Sequence, residues 1–116
     1  MVINRFETYC DKYGFTLDKD LSELNRIICK KNFKKLHIDT YLEDPYTLLL
    51  RTIESNVVIS LEKDRIIIRK NDRNKTTVTN ISLESIDNCI TKRYDNTRYE
   101  IIFTVHNICY KIFVII

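Results

Sequence analysis

The chain has 116 residues, 44% hydrophobic and 30% charged, with a single glycine and a single proline, which excludes a long disordered or low-complexity segment. Its 19 basic and 16 acidic residues leave a net charge of +3, too even a balance to mark a polyanion as the main partner. This length fits one domain over residues 1–116, able to bury about two thirds of its unfolded surface.

In chain order, Ile3, Phe6, Cys10 and Tyr13 recur at helical spacing, and Gly14 follows where a left-handed C-terminal cap needs a glycine. Asp20 is the expected N-cap of a second helix, with Glu23 reaching back as in a capping box. Its buried stripe is Leu21, Leu24, Ile27 and Ile28, and it runs into the basic stretch KKNFKK, whose cations complement the helix dipole. The short run LHIDTY, residues 36–41, reads as an edge strand or a linker. A third helix is expected from Asp44 and Pro45, with Tyr46, Leu49, Leu50 and Ile53 on one face.

From Asn56 the period changes to two. NVVISL and RIIIRK flank EKD, which pairs Leu61 with Ile66 and Ile59 with Ile68 on one face of a hairpin. KTTVTNIS follows as a third strand, and residues 83–93 read either as a short helix or as a strand. In YEIIFTVHNICYKIFVII a turn at His106 and Asn107 sets Val105 against Ile108, Phe103 against Tyr110, Ile101 against Ile112 and Tyr99 against Val114. Asn107 is the residue expected at positive φ there. The fold class expected is α+β: two or three N-terminal helices on a five-stranded, mainly antiparallel twisted sheet or partly open barrel. Residues 1–55 are then mainly helical and 56–116 mainly β.

Chemistry finds few footholds. The four cysteines, Cys10, Cys29, Cys89 and Cys109, form no C-x-x-C pair, and His106 with Cys109 is short of the three or four ligands that a metal needs. No nucleophile elbow, phosphate-binding glycine loop or H-E-x-x-H is present, so the reading is no enzyme, no cofactor and no metal. The charged N-terminal stretch MVINRFETYC lacks the apolar core of a signal peptide, and the C-terminal run is interrupted by Glu100, His106, Asn107 and Lys111. The expectation is a cytoplasmic protein without a transmembrane segment.

Two basic clusters are candidate anion sites: Lys30, Lys31, Lys34 and Lys35, and then Arg65, Arg69 and Arg73. The face of the last hairpin opposite its core pairs mixes apolar with charged residues, which nominates Ile102, Lys111 and Phe113 for a protein interface.

The order of the two hairpins around TTVTNISLESIDNCI resembles the β core of PH and GRAM-like domains over residues 56–116. Val78, Ile81, Leu83 and Ile86 occupy the step that joins the two hairpin regions. The resemblance implies phosphoinositide or peptide binding; no residue after Ile116 supplies the family's closing helix, and no lipid-binding residue carries over. The usage of 18 Ile, 11 Lys and 10 Asn with no Ala or Trp resembles that of AT-rich genomes, such as poxviruses or low-GC bacteria and their phages. The functional expectation is a small non-enzymatic interaction protein, a viral or phage accessory factor that binds a host or same-genome protein, with a homodimer as a candidate assembly. The alternative is an anion-binding module for phosphoinositide membranes or nucleic acid.

Overall fold

Alternating sequence, rather than helical sequence, organises most of the chain in the computed structural model, which describes residues 10–30, 33–42, 47–53, 57–72 and 74–116, with the backbone alone at 47–53 and at Asp72. After a helical turn at residues 10–13 come β1 (Thr16–Leu17), α1 (Ser22–Ile28), β2 (Lys35–Leu42), β3 (Thr47–Ile53), β4 (Val57–Glu62), β5 (Arg65–Asp72) and β6 (Lys75–Ser82). A 3-10 turn at Leu83–Ser85 then leads into β7 (Ile86–Arg93), β8 (Arg98–Val105) and β9 (Ile108–Ile115). One sheet has six strands in the order β1-β7-β8-β9-β2-β3; the other has three, β4-β5-β6. Every pairing is antiparallel.

This corrects the α+β expectation of helices packed on five strands. The run at 36–41 is no edge: β2 lies between β9 and β3, because Leu36 and Ile38 alternate with His37 and Asp39 and can bury one face while β9 bonds to the backbone. Residues 47–53 form a strand paired with β2 where a third helix was expected. TLLLRTI is an apolar run whose period cannot tell a helix from a strand buried on both faces, and its β-branched Thr47, Thr52 and Ile53 favour the strand. Asp44 and Pro45, the expected start of that helix, lie outside the described residues, as do Ile3 and Phe6 of the first one.

Where helix does form, its ends follow local chemistry. Gly14 takes φ +73° and its amide donates to the Cys10 carbonyl at 3.2 Å, closing the turn at 10–13 as expected. In α1, Leu24, Ile27 and Ile28 are buried as the stripe requires. The cap differs: the amides of Glu23 and Leu24 donate to the Asp18 carboxylate at 3.2 and 2.8 Å, while Asp20 accepts from the Ser22 amide and side chain and Glu23 pairs with Arg26. Leu21 turns to φ 60° so that the chain can fold back over Asp18. The helix ends at Ile28, ahead of the basic stretch.

Both predicted hairpin registers are found, Leu61 with Ile66 and Ile59 with Ile68, and the four pairs from Val105 with Ile108 to Tyr99 with Val114. His106 rather than Asn107 takes the positive φ, at 54°, with its amide held by Asp87 Oδ2 at 3.1 Å. Of the two readings of residues 83–93 the strand is found, at Ile86–Arg93, and only a 3-10 turn at Leu83–Ser85 precedes it. The main core lies between the inner faces of the two sheets with α1 set into it, joining Leu24 and Ile27 to Ile38, Ile59, Ile66, Ile81, Ile101, Phe103 and Ile112. Among the described residues, no helix is long and apolar enough to cross a membrane.

Candidate functional site

The second face of the six-stranded sheet, turned away from that core, gathers the most varied set of side chains. Alternation places His37, Asp39 and Tyr41 of β2 on it, opposite Phe113, Lys111 and Cys109 of β9, and these in turn stand opposite Glu100, Ile102 and Thr104 of β8. Its floor is a small apolar cluster of Phe15, Ile90, Ile102 and Cys109.

Above that floor, rings and charges are matched. Phe113 meets the Tyr94 ring edge-on at 6.0 Å. The Tyr94 hydroxyl donates to Glu100 Oε1 at 2.8 Å, and the Lys92 ammonium lies 4.7 Å from the Tyr94 ring centre. At the other end, His37 Nε2 is 3.0 Å from Asp39 Oδ1, the Tyr41 hydroxyl donates to Asp39 Oδ2 at 3.4 Å, and Lys111 stands 5.7 Å over the Tyr41 ring. Tyr94 is 46% exposed, and Tyr41, Phe113 and Lys111 are half-buried. Burial, with the Glu100 hydrogen bond second, pushes the Tyr94 hydroxyl up to about 12.

Of the predicted interface residues, Lys111 and Phe113 belong to this surface, whereas Ile102 is 0% exposed and forms part of its floor. Ile102 is withdrawn because the chain around Phe15 packs into the same cluster. His37, Asp39, Tyr41 and Tyr94 escaped the sequence reading, whereas Glu100 lies on the hairpin face that alternation had already nominated. The signal was present in the i, i+2, i+4 spacing of LHIDTY, once that run is taken as an interior strand.

The predicted basic residues are divided between two sheets. Lys30 follows α1 and lies 5.7 Å from the Tyr99 ring centre, beside Arg26 at 5.3 Å. The Lys34 amide donates to the Ile115 carbonyl at 2.6 Å, and Lys35 opens β2 as an exposed residue. Arg65 and Arg69 share the outer face of β5, where Arg65 donates to Asn80 Oδ1 at 3.3 Å and Arg69 pairs with Glu62 at 3.1 Å. Lys31 and Arg73 lie outside the described residues.

A groove of about 560 Å³ runs between β1, α1 and β7, lined by Thr16, Asp18, Ser22, Glu23, Arg93 and Tyr99. Its buried carboxylate, Asp18, is occupied by the two α1 amides, and the Cys89 thiol 3.9 Å away is pushed well up by burial and by the Asp18 charge. A thiol held protonated in this way is a poor nucleophile. Among the described residues, no three His, Cys, Asp or Glu side chains come together as a metal site requires.

Comparison of the chain with protein-family models, with curated proteins and with solved structures finds no match.

Proposed function

We propose that the chain is a protein-binding module without a reaction of its own, and that it docks a partner protein on the second face of the six-stranded sheet. One observation carries this reading: Tyr41, Tyr94 and Phe113 stand half-open on one face, each beside a charged or aromatic neighbour on a fully buried floor. Rigid aromatic rings with few rotamers to lose are the side chains that most often anchor interfaces. The charges of both signs among them, Asp39 and Glu100 against Lys92 and Lys111, suit a partner that is itself mixed in charge. Peptide binding is one of the two roles, with phosphoinositide binding, that the resemblance of residues 56–116 to PH and GRAM-like cores implies. The setting that fits the composition is a viral or phage factor acting inside a cell on a host or same-genome protein.

Anion binding draws less support, since Arg65 and Arg69 are already engaged by Asn80 and Glu62 and the other basic cluster stands on a different sheet. Cross-linked capture from the native host, quantified across variants, separates the two. The expected outcome is a partner retained by wild type and by Arg65→Ala with Arg69→Ala, and lost with Tyr94→Ala, Phe113→Ala or Lys111→Glu. Loss on the arginine variants with retention on the aromatic ones would overturn the reading.

A further inference from the structure

Strand β6 ends the three-stranded sheet, and among the described residues nothing pairs with its other side. Its register with β5 is continuous from Ser82 opposite Arg65 to Lys75 opposite Asp72, without a bulge. The Leu83 amide donates to the Asp64 carbonyl at 2.9 Å, which extends that register by one step. Antiparallel bonding alternates along a strand, so the odd-numbered residues of β6 bond to β5. The even-numbered ones, Thr76, Val78, Asn80 and Ser82, then aim their amides and carbonyls at the free edge.

This edge lacks the usual protections. It holds no proline and no bulge, and its one charge is Lys75 at the start of the strand. The run from Thr76 to Thr79 is β-branched throughout, and Val78 is 55% exposed. The strand also complements itself. Laid antiparallel against its own copy about a two-fold axis at Val78, it sets Val78 against Val78, Thr76 against Asn80, Thr77 against Thr79 and Lys75 against Ile81. No like charges meet, all three outward-facing pairs can exchange both backbone bonds, and the two exposed Val78 side chains cover each other. A slip by one residue would turn bonding positions against non-bonding ones, so the register is restricted.

We propose that two copies of this chain associate edge to edge through β6, joining their three-stranded sheets into one of six strands. The contact is separate from the face assigned to a partner protein and does not depend on it. An interface built on one strand falls below the standard size of about 1,600 Å², so the dimer is a reversible, concentration-dependent one.

Sedimentation equilibrium of the full chain over a rising concentration series tests it. The expected result is a mass that climbs from monomer toward dimer. Val78→Lys sets two ammonium groups opposite each other, and Val78→Pro removes an outward amide that β5 does not use. Each should hold the chain at monomer mass, while thermal melting of Val78→Lys stays cooperative and confirms an intact fold. A wild-type chain that remains monomeric to its solubility limit overturns the proposal. So does a dimer that persists in folded Val78→Lys, which would place the contact elsewhere.

Discussion

Single residues show how burial and local bonding set the chemistry of this chain. Asp18 is the clearest structural case, because its carboxylate serves two helix amides and lies beside the buried Cys89 thiol. Asp18→Ala should cost about 1 to 2 kcal/mol, the usual range for a lost N-cap at its upper end, read as a shift in the urea midpoint. Asp20→Ala, which loses only exposed contacts to Ser22, should move the midpoint much less. The sequence pointed to Asp20 because capping is judged by distance along the chain. The left-handed turn at Leu21 that brings Asp18 back is a tertiary event with no local signature. Tyr94 offers a pH test. Its folded-state pKa stands near 12 against about 10 in an unfolded chain. Between those values the folded state holds a proton that the unfolded state has lost, so stability is intact below pH 10 and falls as pH rises toward 12. Besides Tyr110, whose hydroxyl burial also raises, absorbance titration of tyrosinate should show a late-ionising Tyr94. Its transition should move down in Glu100→Gln, though not fully to the ordinary value, because burial is the larger cause.

At the level of elements, the last hairpin was legible to the residue because a slip of one position would scatter Tyr99, Ile101, Phe103 and Val105 across both faces. The same held for the first hairpin and for β6. What could not be read was the fate of the first half. The runs at 36–41 and 47–53 are stabilised as strands by tertiary pairing, β2 with β9 some 70 residues away and β3 with β2, and a helical reading of Leu49, Leu50 and Ile53 is locally as consistent as a strand. The consequence for β9 is direct. It lies between β8 and β2 and buries Ile112 and Val114, so deleting residues 108–116 should abolish cooperative unfolding. A truncated chain that still melts sharply would contradict this. Phe103 in β8 is fully buried and stacks on Tyr110 at 5.1 Å, and Phe103→Ala should cost about 3 to 5 kcal/mol, measured by the same denaturant titration.

For the molecule as a whole, the core joins the two sheets around one short helix and leaves two surfaces with distinct character. One is the aromatic and charged face over Ile102, and the other is the open edge of β6. Three members of the first surface, Glu100, Lys111 and Phe113, were visible from alternation in the last hairpin. The rest arrives on β2 and at Tyr94, and only the sheet order β8-β9-β2 brings them alongside. The two basic clusters of the sequence stand on different sheets, Lys35 on β2 and Arg65 with Arg69 on β5. The central claim is that the aromatic face meets a partner protein. Hydroxyl-radical footprinting of the free chain against its complex with the captured partner tests it most directly. The account predicts that oxidation of Tyr41, Tyr94 and Phe113 falls on binding while Val58, on the outer face of the other sheet and 54% exposed, stays as reactive as before. Unchanged oxidation of Tyr94 and Phe113 in the complex would contradict it.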